Sequence, residues 1–204
     1  EFGDLLFTAV SLARKLGIDA EESLTKASEK FISRFSVLEA EVIAEDKDVD
    51  VNRVDLKNVN FRRQDLRGRD FSNRDLSGLD FSWAKLNGAN LNGANLNGAH
   101  LEGVHLEEAH LEEVHLEKAH LEHAYLFYAH LENAHLNGAY LYKAHLEGTH
   151  LEGAYLCEAH LENVKYDDTT KWTKAMYDFN TKFPDGFNPK EHDMILDLRG
   201  DNLG

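Results

Sequence analysis

The sequence predicts an all-β solenoid, preceded by a helical hairpin and closed by an aromatic-rich segment. Three observations carry this. A large apolar residue recurs every five positions, as Val51, Leu56, Phe61, Leu66, Phe71, Leu76, Phe81 and Leu86, then as leucine to Leu161 with Tyr166 last, 24 registers in all. From Ala84 to Val164, the position two residues before each centre is alanine, valine or threonine. Finally, a period of five suits neither regular element. On a helix it advances about 140° per step, and on a continuous strand it flips the side chain between faces. A two-residue extended piece followed by a turn does fit. With each central residue called i, positions i−2 and i point one way and i−1 the other. If i−2 and i face inward, the chain winds around a narrow core of alanine and leucine, Leu91, Leu111, Leu131 and Leu151 among them. Successive coils then stack at about 4.7–4.9 Å.

Residues 1–48 read as the helical hairpin. Leu5, Leu6, Ala9, Val10, Leu12, Ala13 and Leu16 form a wide helical stripe that Gly17 ends. Asp19 and Glu22 make a capping-box pattern, and Leu24, Ala27, Phe31, Phe35, Leu38 and Val42 mark one face of a second helix. These apolar faces need a partner beyond each other, either the end of the solenoid or a second copy of the chain, as in a homodimer. Residues 49–166 are the repeat. Residues 167–204 break the period and carry Trp172, Tyr177, Phe179, Phe183 and Phe187 with turn-forming Pro184, Gly186 and Pro189. A solenoid must cover its last coil, and this segment is expected to do so.

The run AKLNGANLNGANLNGAHLEG (84–103) resembles the pentapeptide-repeat family. The resemblance covers more than half the chain and implies a right-handed quadrilateral β-helix with four repeats, or 20 residues, per coil. About six coils would make a rod roughly 25–30 Å long at strand spacing. The residues alone leave the coil length open. Phe61 and Phe81 are 20 apart, whereas Tyr125, Tyr140 and Tyr155 are 15 apart.

That family favours aspartate or asparagine at i−1, and the early coils comply with Asp55, Asp65, Asp70, Asp75, Asp80, Asn90 and Asn95. The later coils depart from it. Ten of the twelve histidines sit at i−1, namely His100, His105, His110, His115, His120, His130, His135, His145, His150 and His160. With 20 residues per coil, His100 stacks under His120, His110 under His130 and His150, and His115 under His135. Neighbouring imidazoles could share a soft divalent metal weakly, with Glu102 or Glu122 as an oxygen ligand. A zinc site converges three or four ligands, however, and a flat ladder is expected to present two. The spacing therefore speaks first for architecture, and no cofactor is expected. Charging all twelve histidines would move the formal charge from −15 to −3, and unperturbed histidine titrates near neutrality.

A formal charge of −15 over 204 residues argues against direct nucleic-acid binding and against an anionic membrane surface. The single cysteine, Cys157, permits no internal disulfide and suits a reducing compartment. It sits at i+1, facing outward. No apolar run is long enough for a membrane span, and no signal peptide is visible, so a cytoplasmic location is expected. The charge is lopsided along the repeat. Residues 49–86 carry six acids and eight bases, whereas residues 87–162 carry twelve glutamates against Lys118 and Lys143. Stacked columns such as Glu112, Glu132 and Glu152 repel one another unless something offsets them. Gln64, Arg69 and Arg74 stand at the inward i−2 position, where arginine needs a partner or an open coil.

The opening EFGDLLFTAVSLARKLGIDAEESLTKASEKFISRF resembles part of the MazG-type nucleoside triphosphate pyrophosphohydrolases. That resemblance implies a magnesium-binding Glu-x-x-Asp pair, matched by Glu1 and Asp4, joined to an upstream Glu-Glu-x-x-Glu with no counterpart here. Half a clamp is not a magnesium phosphate site. No nucleophile–base set, phosphate loop or cysteine cluster appears elsewhere. The expectation is a non-enzymatic rod that presents flat faces to a protein partner the sequence does not identify. Two alternatives follow from the resemblances: a DNA-mimic modulator of a type II topoisomerase, and an incomplete pyrophosphohydrolase fused to a scaffold.

Overall fold

The computed structural model describes residues 61–198. The expected hairpin at 1–48, with Glu1 and Asp4, and the repeats before Phe61 lie outside the described residues. From Phe61 onward every pentapeptide folds alike. Positions i+1 and i+2 form a turn closed by a hydrogen bond from the i+3 N–H to the carbonyl of i, as in Ala94 to Leu91 at 3.0 Å. The i+2 residue has a positive φ throughout, from Arg63 at 60° to Asn163 at 59°. This is the signature of a turn that asks for glycine at its third position. Asn-Gly at 87–88, 92–93, 97–98 and 137–138 supplies it. Elsewhere Trp83, Glu108, Lys118 or Tyr128 accept the left-handed conformation, a strain of roughly 1–2 kcal/mol each.

Coil length is settled by pairing. Residue i−1 bridges in parallel to the residue 20 positions on, from Asp65–Lys85 through His145–Lys165. Three backbone bonds per repeat tie each coil to its neighbour, for example Leu91 N–H to His110 O at 2.7 Å, Gly93 N–H to Glu112 O at 2.9 Å and His110 N–H to Ala89 O at 2.9 Å. The 15-residue tyrosine spacing moves each ring to another side of the coil. There it stacks on a histidine of the preceding coil: Tyr125 on His105, Tyr140 on His120, Tyr155 on His135, centroids 4.6–4.9 Å apart.

The core is the predicted one. Leu91, Leu111, Leu131 and the alanines at i−2 are fully buried, and Leu151 nearly so. In the first described coils it is filled differently. Phe61 stacks on Phe81 at 4.6 Å, and the edge of Phe71 meets both at 6.0 and 6.3 Å. The larger rings occupy space that alanine pairs leave elsewhere, while Gln64, Arg69 and Arg74 at i−2 stay only partly buried. The Arg74 guanidinium lies 5.8 Å from the Phe71 ring centroid. Burial pushes its pKa below the usual value, and the nearby Asp70 charge works against that shift. Asp70 is thus the partner that an inward arginine requires.

Winding continues beyond the regular spacing. The centres run on as Tyr166, Trp172, Tyr177 and Phe183, with one residue inserted at two of the steps. His150 accordingly pairs with Lys171, Tyr155 with Met176 and His160 with Lys182. Each insertion carries the same local sequence, Tyr-Asp-x-x-Thr-Lys-aromatic, at 166–172 and 177–183. The aspartate closes the wider turn onto its threonine: the Thr181 N–H donates to Asp178 Oδ1 at 2.9 Å. Asp178 also accepts the Glu158 N–H at 2.9 Å, a bond that a backbone carbonyl accepts in regular coils. Thr149, Thr170 and Thr181 replace alanine at i−2, each with its Oγ1 donated to a buried leucine carbonyl.

An aromatic cluster closes the end. Trp172 is buried, and Phe187 packs against Tyr166, Trp172, Phe183 and His192. A 3-10 turn, Pro189–His192, lets strand β2 (Ile195–Leu196) pair in parallel with β1 (Met176–Tyr177). Phe179 is 65% exposed and takes no part in the closure.

Candidate functional site

On each side of the solenoid, i−1 and i+1 flank an inward residue and so project side by side. Early coils use this geometry for Asp65 and Arg67, which meet in two bonds of 2.6 and 2.7 Å. The arginine holds the Asp65 carboxyl down at about 2, mainly through the side-chain bond. Elsewhere in these coils the i−1 side chain caps the i+1 N–H: Ser72 on Asp70, Ser77 on Asp75, Ser82 on Asp80, Asn92 on Asn90 and Asn97 on Asn95, at 2.9–3.2 Å. That local bond is the physical use of aspartate or asparagine at i−1.

The later coils keep the pair and change the chemistry. Histidine at i−1 turns Nδ1 toward the glutamate at i+1. The separations are 3.2 Å for His100–Glu102, 3.0 Å for His105–Glu107, 3.4 Å for His115–Glu117, 3.4 Å for His120–Glu122, 3.1 Å for His130–Glu132 and 3.3 Å for His160–Glu162. Along the columns the imidazoles stack as the spacing predicts: His100 on His120, His110 on His130, His130 on His150 and His115 on His135, with centroids 4.6–5.4 Å apart. Cross-column contacts also form. His150 Nδ1 lies 3.5 Å from Glu132 Oε1, and His135 Nδ1 lies 3.7 Å from Glu117 Oε1.

The expectation that this ladder offers a metal only two ligands is therefore corrected. Among the described residues, three groups place one ligand atom per residue within 4.8 Å of one another: His115–Glu117–His135, His130–Glu132–His150 and Glu102–His120–Glu122. The sequence already offers the i+1 carboxylates of Glu102 and Glu122 as oxygen ligands, and the register adds that a single carboxylate, Glu117 or Glu132, reaches two stacked imidazoles. Glutamate at i+1, two residues from histidine in the recurring His-Leu-Glu, was the available signal. Histidines also interleave the stacked Glu112, Glu132 and Glu152, with His110, His130 and His150 Nδ1 atoms 3.1–3.6 Å from the carboxylates.

The carboxylates divide by what lies one coil below. Ser82 donates to Glu102 Oε2 at 2.8 Å, and Asn87 donates to Glu107. Burial works against the Glu102 carboxylate, but its own backbone N–H, Ser82 and His100 outweigh it, so its pKa falls below the ordinary range. Asn92 and Asn97, below Glu112 and Glu117, instead accept the glutamate N–H on Oδ1 at 3.0 and 2.8 Å, and below Glu122, Glu132 and Glu152 stands another glutamate. The Oε2 atoms of Glu112, Glu117, Glu122, Glu132, Glu147 and Glu152 are buried without a hydrogen-bond partner.

A second feature is aromatic. Trp83 and Tyr128, at i+2 with φ of 62° and 56°, are 49% and 60% exposed. Each lies against a glycine one coil on, Trp83 on Gly103 and Tyr128 on Gly148. Cys157 is a partly buried thiol.

With this geometry in view, comparison with known proteins is informative. Models of the family described as pentapeptide repeats match in eight copies, in overlapping segments between residues 55 and 163. The crystal structure of a pentapeptide repeat protein (Rfr23) from the cyanobacterium Cyanothece 51142 is similar, with 32% identity and a TM-score of 0.50, over 52% of this chain and 86% of that one. A separate N-terminal similarity involves the nucleoside triphosphate pyrophosphohydrolase/pyrophosphatase MazG of Thermotoga maritima, 52% identical over 46 residues, which is 22% of this chain and 18% of that protein. The nucleoside triphosphate pyrophosphohydrolase of Escherichia coli K12 is 57% identical over 44 residues, 22% of this chain and 17% of that protein. The chain thus spans less than a fifth of the curated relatives it matches.

Proposed function

The chain belongs to the pentapeptide-repeat family, and on that premise we propose that it acts as a protein-interaction scaffold rather than as an enzyme. Its coils are taken to wind right-handedly into a four-sided rod of about six turns, a length at strand spacing that offers a partner long, flat faces. The observation that carries this reading is the pair Trp83 and Tyr128. Both are large aromatics held in a strained left-handed backbone, yet they remain half exposed or more. Aromatic side chains already fixed in place lose little entropy on docking and dominate binding energy at interfaces. The glutamate-rich coils around Tyr128 would steer a partner with a basic face toward it.

The test is capture by the immobilised chain beside its Trp83→Ala/Tyr128→Ala variant, with circular dichroism confirming that both are folded. A protein retained by the native chain and lost by the variant supports the reading. Equal capture by both overturns it. For the N-terminal segment, the reading is a helical cap or pairing element that carries Glu1 and Asp4, half of the magnesium site the resemblance implies.

A further inference from the structure

We propose that the histidine–glutamate ladder contains two binding sites for a zinc-class divalent cation, His115–Glu117–His135 and His130–Glu132–His150. Two imidazole nitrogens and one carboxylate oxygen form a donor set suited to such a cation, with a fourth position open to water. A tetrahedral ion bound at about 2.0–2.1 Å separates its ligand atoms by roughly 3.4 Å. In the second triad, Glu132 Oε1 lies 3.1 Å from His130 Nδ1 and 3.5 Å from His150 Nδ1. In the first, Glu117 Oε1 lies 3.4 Å from His115 Nδ1 and 3.7 Å from His135 Nδ1. These edges already approach the ligand spacing, so binding needs little rearrangement.

A second, independent observation points the same way. The Oε2 atoms of Glu117 and Glu132 are buried and have no partner. A carboxylate desolvated on one oxygen is costly unless a positive charge compensates it. A cation bridging the triad supplies that charge. It also offsets the repulsion of Glu112 and Glu152 on either side of Glu132, so the His130–Glu132–His150 site is the tighter of the two. The flanking tyrosine and histidine rings hold the ligating imidazoles by stacking: Tyr155 on His135 at 4.7 Å and His110 on His130 at 5.4 Å. Without metal, one imidazole of each triad hydrogen-bonds the shared carboxylate oxygen through Nδ1, His130 to Glu132 at 3.1 Å and His115 to Glu117 at 3.4 Å. An imidazole that ligates through Nδ1 keeps its proton on Nε2, and protonation of the ring competes with the metal, so affinity falls as pH is lowered. The third group, Glu102–His120–Glu122, brings only one imidazole and is the weaker donor set for a zinc-class ion.

The experiment is a calorimetric titration of tag-free, chelator-stripped protein with zinc chloride at pH 7.5, paired with thermal melts. The expected result is saturable uptake of two zinc ions per chain and a melting temperature raised by several degrees. His150→Gln should lower the stoichiometry from two to one, and Glu117→Gln/Glu132→Gln should abolish uptake while preserving the stacked columns. Magnesium should produce neither heat nor stabilisation. The absence of saturable uptake at millimolar zinc overturns the proposal. So does an unchanged stoichiometry in the folded Glu117→Gln/Glu132→Gln variant.

Discussion

The ring of Trp83 lies so close to Gly103, one coil along the solenoid, that a methyl group added at Gly103 would sit 2.7 Å from Cε3 and Cζ3 of the indole. Gly103 also has a φ of 63°. Gly103→Ala therefore meets two separable penalties, a left-handed backbone costing roughly 1–2 kcal/mol and displacement of the indole. Urea unfolding should show a loss that exceeds the backbone cost in the native background and falls back to it in a Trp83→Ala background. Equal losses in both backgrounds would mean that the ring moves aside freely.

Leu131 is fully buried at the middle of the stack. Leu131→Ala should destabilise by about 2.7–5 kcal/mol, because coils fixed by ladder bonds on both sides cannot collapse into the cavity. A drop in the denaturation midpoint with an unchanged slope is the expected record of this loss.

Asp178 links an inserted turn to the coil beneath it. Burial alone would push its carboxyl up, but hydrogen bonds from the Glu158 N–H, Thr181 and Asn180 outweigh burial and leave its pKa lowered. A carboxylate depressed in the folded state stabilises above its unfolded pKa, about 3.9, and that stability is lost as pH falls through the lower folded value. Asp178→Ala should cost about 1–3 kcal/mol at neutral pH by orphaning the Glu158 and Thr181 amides. The gap between native and variant stability should narrow below about pH 4. Thermal melts from pH 7 to pH 2 measure both effects.

Magnesium phosphate chemistry requires a full carboxylate clamp, and by the resemblance of the N-terminal segment Glu1 and Asp4 would supply half of one. The purified chain should release no pyrophosphate from nucleoside triphosphates with magnesium present. Steady release that disappears in Glu1→Gln would restore an enzymatic reading of the N-terminal segment.

Much of the fold was legible because a five-residue period has few physical solutions. Leucine at i and alanine at i−2 could only be an inward pair, and the structure buries both. The histidine columns were legible too, once 20 residues were assigned to a coil. The closing coil was harder to read. Tyr166, Trp172, Tyr177 and Phe183 extend the central series, but two inserted residues break its arithmetic. The repeated Tyr-Asp-x-x-Thr-Lys was the overlooked sign that the turns widen while winding persists.

The sequence by itself determined which residues face the core, because side-chain direction in an extended repeat is fixed by position alone. It also determined that the histidines face outward in columns. Only the tertiary structure decided what those columns meet. Whether His150 reaches Glu132, whether Trp83 covers Gly103 and whether a glutamate oxygen finds Ser82 or nothing all depend on residues 18 to 20 positions apart coming into register. Register is set by the whole stack of ladder bonds, and no local stretch of chain contains it.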